Sequence, residues 1–547
     1  MASYVTVARN ASFMLQAGIP DVEGESARIA VEYTMAHRFL LKSAVVLLPV
    51  FLSTPAWASP QQSASLTNAE TNTPGVAART TTQVTGHVFS FPVASKSVEA
   101  QKLMETALYQ YENVLLDKSV QTARKATEKD PQFALAYALW SFAARQNQPN
   151  PEAARKAELF AVRAPAEEQL LVKFLVAVQK SDMLPAITAM NDLLAHFPKD
   201  RHALYLTAEW LYNEQDYDRS VSMLEQIIKQ DPNFAPAYNM LGYAKVGTGV
   251  PDPIKAIAYL TKYAELEAGQ PNPEDSLGEV YRFAGDDQGS LEHYRTALKF
   301  SPGFITSQTG LGDTYSLMGD FNNATVEYNK ALAISTNNRD RLHAEFQKAL
   351  MKFWAGKSMD GLQALADVER KAQAVHEPYA LFEIQEAEAL LALTPMERVA
   401  KLHEMARTYG SPVEGMSESD RNPSLAAIWR DEVRIRVEQN QTEATVDILQ
   451  KLDRLAAQSR DLIVENYYES ARGYVYFAQK DYENAADELS ADPHSPLAIK
   501  WLGAAREKLG DRNGAEAAQL RLKYLRAPTA EWYLATHPGS SSLVSGN

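Results

Sequence analysis

Ten histidines, 68 acidic side chains and several paired glycines are the groups in this chain that could do chemistry, and each kind needs a particular spacing to do it. A helical zinc protease site needs HExxH, two imidazoles one turn apart with a glutamate base between them. His403-Glu404 in "KLHEMA" has no second His four residues on, and no HxH pair occurs anywhere, so the histidines read as packed or solvated side chains. No GxxxxGK[ST] phosphate loop and no GxSxG elbow is present. "GLG" at 310–312 has the glycines of a phosphate loop but no strand before it. Cysteine is absent, which removes thiolate nucleophiles, Cys-ligated metals, iron–sulfur clusters and disulfides. The expectation is therefore no catalytic residue, no metal and no cofactor.

The same glycines make sense once the elements around them are read. "LGEVYRFAGDDQGSLEHYRTAL" returns 34 residues later as "LGDTYSLMGDFNNATVEYNKAL". Leu277, Gly278, Tyr281, Gly285, Asp286, Tyr294, Ala297 and Leu298 become Leu311, Gly312, Tyr315, Gly319, Asp320, Tyr328, Ala331 and Leu332. Within the unit, small or apolar residues at 7, 8 and 11 form one face of a first helix, and those at 20, 24 and 27 one face of a second. Position 8 is Gly242, Gly278, Gly312, Gly473 and Gly503, or Ala208; position 20 is Ser220, Ala256, Ser290, Ala324, Ala485 and Ala515. Small residues at both positions let the paired helices approach closely. "GD" or "QD" at 15 and 16 predicts a turn, with Gly ending one helix and Asp capping the next. Tyr281, Tyr294, Tyr315 and Tyr328 fall at packing positions and are expected in the core.

This pattern resembles the tetratricopeptide repeat family, closely over residues 201–336 and 466–528 and more loosely over the rest of the chain after residue 97. The resemblance implies an all-α fold, a right-handed superhelical solenoid of about eleven helix-turn-helix units. The array is read as residues 97–338, degenerate helical repeats at 339–462, further repeats at 463–530 and a tail at 531–547. "SPVEGMSESDRNP", residues 411–423, is the strongest internal loop signal, either a hinge or a long surface connection. Trp532 and Tyr533 are expected to cap the array.

Such solenoids bind proteins or peptides on a concave face lined by first helices, and carry no chemistry of their own. Repeat positions 2, 5, 9, 12 and 13 face that concavity in the family. Here they include Tyr205, Glu209, Tyr212, Asn239, Tyr243, Asp275, Glu279 and Asp313, with His202, Asn213, Arg282, Thr309 and Ser316 beside them. Members that clamp a terminal carboxylate use Lys and Asn; acids at position 9 depart from that pattern. Tyrosine faces with carboxylates between them suit a neutral or basic extended segment. Alternatively the acids serve only their own helices, with Asn272 as N-cap and Glu274 and Asp275 against the helix dipole. A receptor for a small molecule or glycan held within the superhelix is the second reading of function. A narrower likeness, to repeat arrays appended to bacterial signalling proteins, implies a bacterial source.

The formal charge of -14, with no basic stripe, opposes nucleic acid and anionic membranes as partners. Residues 35–58 carry a secretory signal pattern: Arg38 and Lys42, an apolar stretch from Ser43 to Leu52, and Ala56-Trp57-Ala58 before Ser59. The apolar stretch is short for a span of about 20 residues. The expectation is a start at Met35 with residues 1–34 an upstream leader, cleavage after Ala58, and a periplasmic or secreted protein that is not integral to the membrane; the alternative is an uncleaved anchor. Residues 59–96 read as a disordered linker.

Overall fold

The computed structural model describes residues 89–537 apart from 145–149, 181–182, 249–250 and 460. The leader, the signal segment, residues 59–88 of the linker and residues 538–547 lie outside the described residues. Among the described residues there are 25 α-helices and no strand.

Twelve consecutive helix pairs account for all but the last of these helices. They are α1 and α2 (Val98–Glu112, Leu116–Lys129), α3 and α4 (Ala134–Ala144, Pro151–Ala161), α5 and α6 (Ala166–Gln179, Met183–His196), and α7 and α8 (Arg201–Asn213, Tyr217–Gln230). Next come α9 and α10 (Ala235–Gly247, Pro253–Leu266), α11 and α12 (Pro271–Ala284, Asp287–Phe300), and α13 and α14 (Ile305–Leu317, Phe321–Ile334). The degenerate region holds α15 and α16 (Asn338–Trp354, Ser358–Ala374), α17 and α18 (Pro378–Leu391, Pro395–Tyr409), and α19 and α20 (Glu418–Glu438, Val446–Ser459). Then follow α21 and α22 (Leu462–Ala478, Tyr482–Leu489), α23 and α24 (Pro496–Lys508, Arg512–Lys523), and a lone α25 (Ala530–Thr536). The pair beyond the expected eleven is the first, where Ser119 at position 20 donates to Ala107 O at 2.7 Å.

The pairing chemistry is visible unit by unit. A Cβ on Gly278 would lie 2.8 Å from the Tyr294 ring and one on Gly312 2.5 Å from Tyr328, so these first helices must pass directly beneath a tyrosine of the second. At the turns Gly285 and Gly319 adopt φ of +80° and +79°, a conformation that costs glycine little. Asp286, Asp320, Asp216, Asp481 and Asp511 then cap the second helices, each accepting a backbone N–H at 2.9 to 3.3 Å. Tyr294 and Tyr328 are buried, whereas Tyr281 and Tyr315 are half-buried and touch His293 and Arg295.

First helices of successive pairs pack on one another along the array, and second helices do so far less. The first helices therefore form the inner, concave layer. The middle units keep this plan with longer helices of 17 and 21 residues, and Gly361 supplies the small residue, under the Phe353 ring. The loop expected at 411–423 is shorter than its composition implies. α19 starts at Glu418 because Ser417 caps it, accepting from Asp420 N at 3.1 Å, and Tyr379 ties Asp420 to α17 at 2.6 Å. Pro423 sits inside that helix, and buried Met416 anchors the short connection.

Two further boundaries are corrected. Residues 89–96 are packed on the array, because Phe89 and Phe91 stack on one another and bury 97% and more of their surface. The tail begins with α25, whose Ala530, Leu534 and Ala535 are buried in a core cluster with α15, α16 and α17. No helix among the described residues is long and apolar enough to cross a membrane.

Candidate functional site

The inner layer of the central units holds the residues singled out above, and nearly all are turned toward one another. Tyr205, Asn239, Tyr243, Asp275, Glu279 and Asp313 are buried, with Thr309, Ser316 and His202; Glu209, Tyr212 and Asn213 are half-buried. Tyr205 donates to Glu112 O at 3.2 Å, and Tyr111 from α1 donates to both oxygens of Glu209 at 2.7 and 2.9 Å. Tyr243 donates to Glu279 at 3.0 Å, Ser276 to Asn239 at 3.1 Å and Ser307 to Asp275 at 2.5 Å. Arg282 bonds Asp313 at 2.7 Å and Glu279 at 3.2 Å, and Tyr328 completes the ladder on Asp313 at 2.9 Å.

Buried charge persists only where it is paired and hydrogen-bonded, and Arg282 is the pivot. Burial alone would lower its pKa, but Tyr294, Asp313 and Glu279 hold it up. Asp275 sits farther from that cation, and burial pushes its carboxyl up to about 7 despite the bond from Ser307. The expectation of an open acidic lining is thus corrected for these residues. Their hydrogen bonds run inside the fold, as a ladder that ties α9, α11 and α13 together and a separate set that ties α7 to α1. The local alternative also needs correction: α11 begins at Pro271, and buried Asn272 donates to Tyr263 at 3.0 Å instead of capping the helix.

Polar groups that grip a segment of chain stand elsewhere on the array. Residues 89–95 form a non-helical strap across the N-terminal ends of α3, α5 and α7. Ser90 places its backbone N–H and its hydroxyl on one oxygen of Asp200, at 2.6 and 2.8 Å. The other oxygen of Asp200 caps α7 through His202 N and Ala203 N. Glu168 works the same way, taking Leu135 N at 3.2 Å with one oxygen and Ala94 N with the other. Ser95 reaches Asp130 at 2.6 Å. Phe89 meets His202 edge-on and Phe91 meets Phe197. Three carboxylates from successive units thus hold one polypeptide segment, two of them through its backbone. Sequence reasoning missed this seat. Its signal was the alternation "FSF" at 89–91, where two aromatics break an otherwise polar stretch.

A second contact closes the array on itself. Tyr217 at the start of α8 meets His494 Nε2 at 2.6 Å, and Arg521 donates to Val246 O. Arg526 forks onto Asp287 at 2.5 and 3.1 Å. Burial and Arg521 keep His494 well below the usual imidazole pKa, so the ring is neutral, with Nδ1 facing the Arg521 guanidinium at 3.4 Å and Nε2 sharing a hydrogen bond with the Tyr217 hydroxyl. Nearby Glu214 is fully buried, and burial with Asp461 at the start of α21 holds its carboxyl well above the usual range. His403, from the motif considered first, contacts Glu432 at 2.7 Å. Among the described residues no group of three or more His, Asp or Glu is placed to hold a metal ion.

Models of the tetratricopeptide repeat match residues 202–233 and 305–338, which are the pairs α7 with α8 and α13 with α14. No curated protein matches the chain in sequence. Solved structures similar to it include MamA protein, with 22% identity, 31% of this chain and 91% of that chain covered, and a TM-score of 0.28. YrrB, described as a TPR protein with an unusual peptide-binding site, is 18% identical over 41% of this chain and 96% of its own, with a TM-score of 0.26. Yeast Tom70 is 12% identical over 77% and 89%, with a TM-score of 0.38.

Proposed function

We propose that this chain, a tetratricopeptide repeat protein, is a non-catalytic scaffold that grips an extended, neutral or basic segment of another protein in the periplasm or envelope of a bacterium. The location rests on the signal pattern at 35–58. The grip rests on one observation, the seating of residues 89–95. The carboxylates of Asp200 and Glu168 accept backbone N–H groups of the strap, while Phe89 and Phe91 fill apolar seats between helices. Backbone-directed acceptors bind an extended segment of almost any sequence, and pockets for alternate side chains add selectivity. Uncharged amides and hydroxyls satisfy these acids, a cationic side chain would also do so, and an acidic segment would be repelled.

The test is a peptide library panned against the full chain carrying Phe89→Ala and Phe91→Ala, with the unsubstituted chain as reference. Enrichment of neutral or basic peptides bearing two aromatics one residue apart, competed by a peptide of residues 89–97, supports the scaffold. No enriched peptide, alongside saturable binding from a glycan or metabolite panel, would replace it with the small-ligand receptor.

A further inference from the structure

The C-terminal helix α25 is held unlike any other helix of the array. It has no partner helix of its own; it contacts α17, six helices before its own neighbour α23, and α23 itself. Tyr533 packs edge-on to Trp354 at 5.0 Å and to Phe353 at 6.1 Å, both at the end of α15. Leu534 is 2% exposed and shares a cluster with Phe346, Leu350, Ile384 and Leu497. Because α15, α17 and α23 are first helices, α25 lies against the inner layer, where a repeat array receives partners. The contact includes an end cap and extends beyond it: Trp532 covers the last pair, its Nε1 donating to Leu522 O at 3.3 Å beside Ile499 and Ala518, while Tyr533 reaches back to α15.

The polar end of this contact is badly matched. Glu531 bonds Arg430 of α19 at 2.5 Å and accepts from Ser495 at 2.9 Å. Arg430 is already engaged by Asp492 at 3.0 Å and Asp431 at 3.2 Å, and burial, with Asp431 and Glu531 nearby, holds the Glu386 carboxyl of α17 well above the usual range. One shared guanidinium therefore faces Asp431, Asp492 and Glu531, with Arg434 committed to Asp431 and Glu438. Like charges crowded at one cation cost free energy in a buried site. The helix is well seated by its apolar side and poorly seated by its acid.

Resting on the scaffold reading, we propose that α25 is a displaceable plug over a second docking face formed by α15, α17, α19 and α23. The partner that displaces it is a short amphipathic helix with an aromatic–leucine pair in the places of Tyr533 and Leu534. Where Glu531 stands, that partner carries a neutral or basic residue, relieving the excess of acid around Arg430. Burial pushes the Glu531 carboxyl up to about 6, against the pull of Arg430, which fits an anchor whose charge is unwelcome.

The test titrates a labelled peptide of residues 529–537 carrying Glu531→Gln into two full chains, unsubstituted and Leu534→Asp, followed by fluorescence polarisation. The expected result is saturable binding by the Leu534→Asp chain, weaker by on the order of tenfold or more in the unsubstituted chain because the plug competes. The unsubstituted peptide should bind less tightly than its Gln form. Equal binding to both chains, or none to a Leu534→Asp chain of unchanged helical content, overturns the proposal. Should Leu534→Asp not fold, hydrogen exchange on the unsubstituted chain decides. Excess peptide should speed exchange at 530–536 while leaving 496–508 unchanged, and no change at 530–536 overturns the plug. This titration probes the chain's own sequence, so it can fail while the library selection at the strap succeeds, and the reverse.

Discussion

Asp275 shows what the inner layer demands of a single residue. It stands at a position that the repeat pattern assigns to partner binding, yet it is 4% exposed and its bond goes to Ser307 of the next unit. Burial pushes its carboxyl up to about 7 in the folded chain from an ordinary value near 4, so between those pH values the folded chain holds a proton that the unfolded chain has released. Stability from this group is complete below about pH 4 and is lost as pH rises through about 7. Asp275→Asn should remove that loss: urea midpoints of the parent should fall relative to the variant between pH 4.5 and 7.5, and parallel curves would refute the assignment. Spacing along the chain could place Asp275 on the inner layer. It could not reveal burial, because Ser307 of the next unit becomes its neighbour only after the units stack.

At the scale of elements the sequence was most informative where small residues recur at fixed offsets. The Gly and Ala of positions 8 and 20, and the Gly-Asp turns, are local requirements of one helix pair, so they are written in each unit. The middle was harder to read because its helices lengthen, which breaks the 34-residue register, so that Gly361, under Phe353 and at the same place in its helix as Ala324, falls out of step along the chain. The strap was misread as linker, since its acceptors, Asp130, Glu168 and Asp200, come from units 35 to 110 residues away. Close helix approach makes its own prediction. In Gly312→Ala the new methyl meets the fully buried Tyr328 ring at 2.5 Å, and overpacking of about 1–3 kcal/mol should exceed the roughly 1 kcal/mol that Ala adds to a helix. Gly503→Ala meets only the Ala518 Cβ at 3.5 Å, so the helix gain should prevail. Thermal melts should show the first variant lower in Tm and the second unchanged or higher; equal shifts would contradict the packing account.

On the scale of the whole molecule, the array is a holder of polypeptide that holds parts of itself. Its first described residues lie on the carboxylates of Asp200 and Glu168, its last helix lies on α15 and α17, and Arg521 and Arg526 join its late units to its central ones. A solenoid that contacts only nearest neighbours unfolds piecemeal, and these long-range contacts add coupling between units far apart in sequence. Hydrogen exchange on the full, unsubstituted chain tests this directly, since displaceable segments should open more readily than the global fold yet remain protected. Residues 89–96 and 530–536 should exchange far more slowly than an unstructured chain and faster than α7 and α21. Exchange at the unstructured rate in both segments, with α7 and α21 still protected, would contradict a self-occupied scaffold.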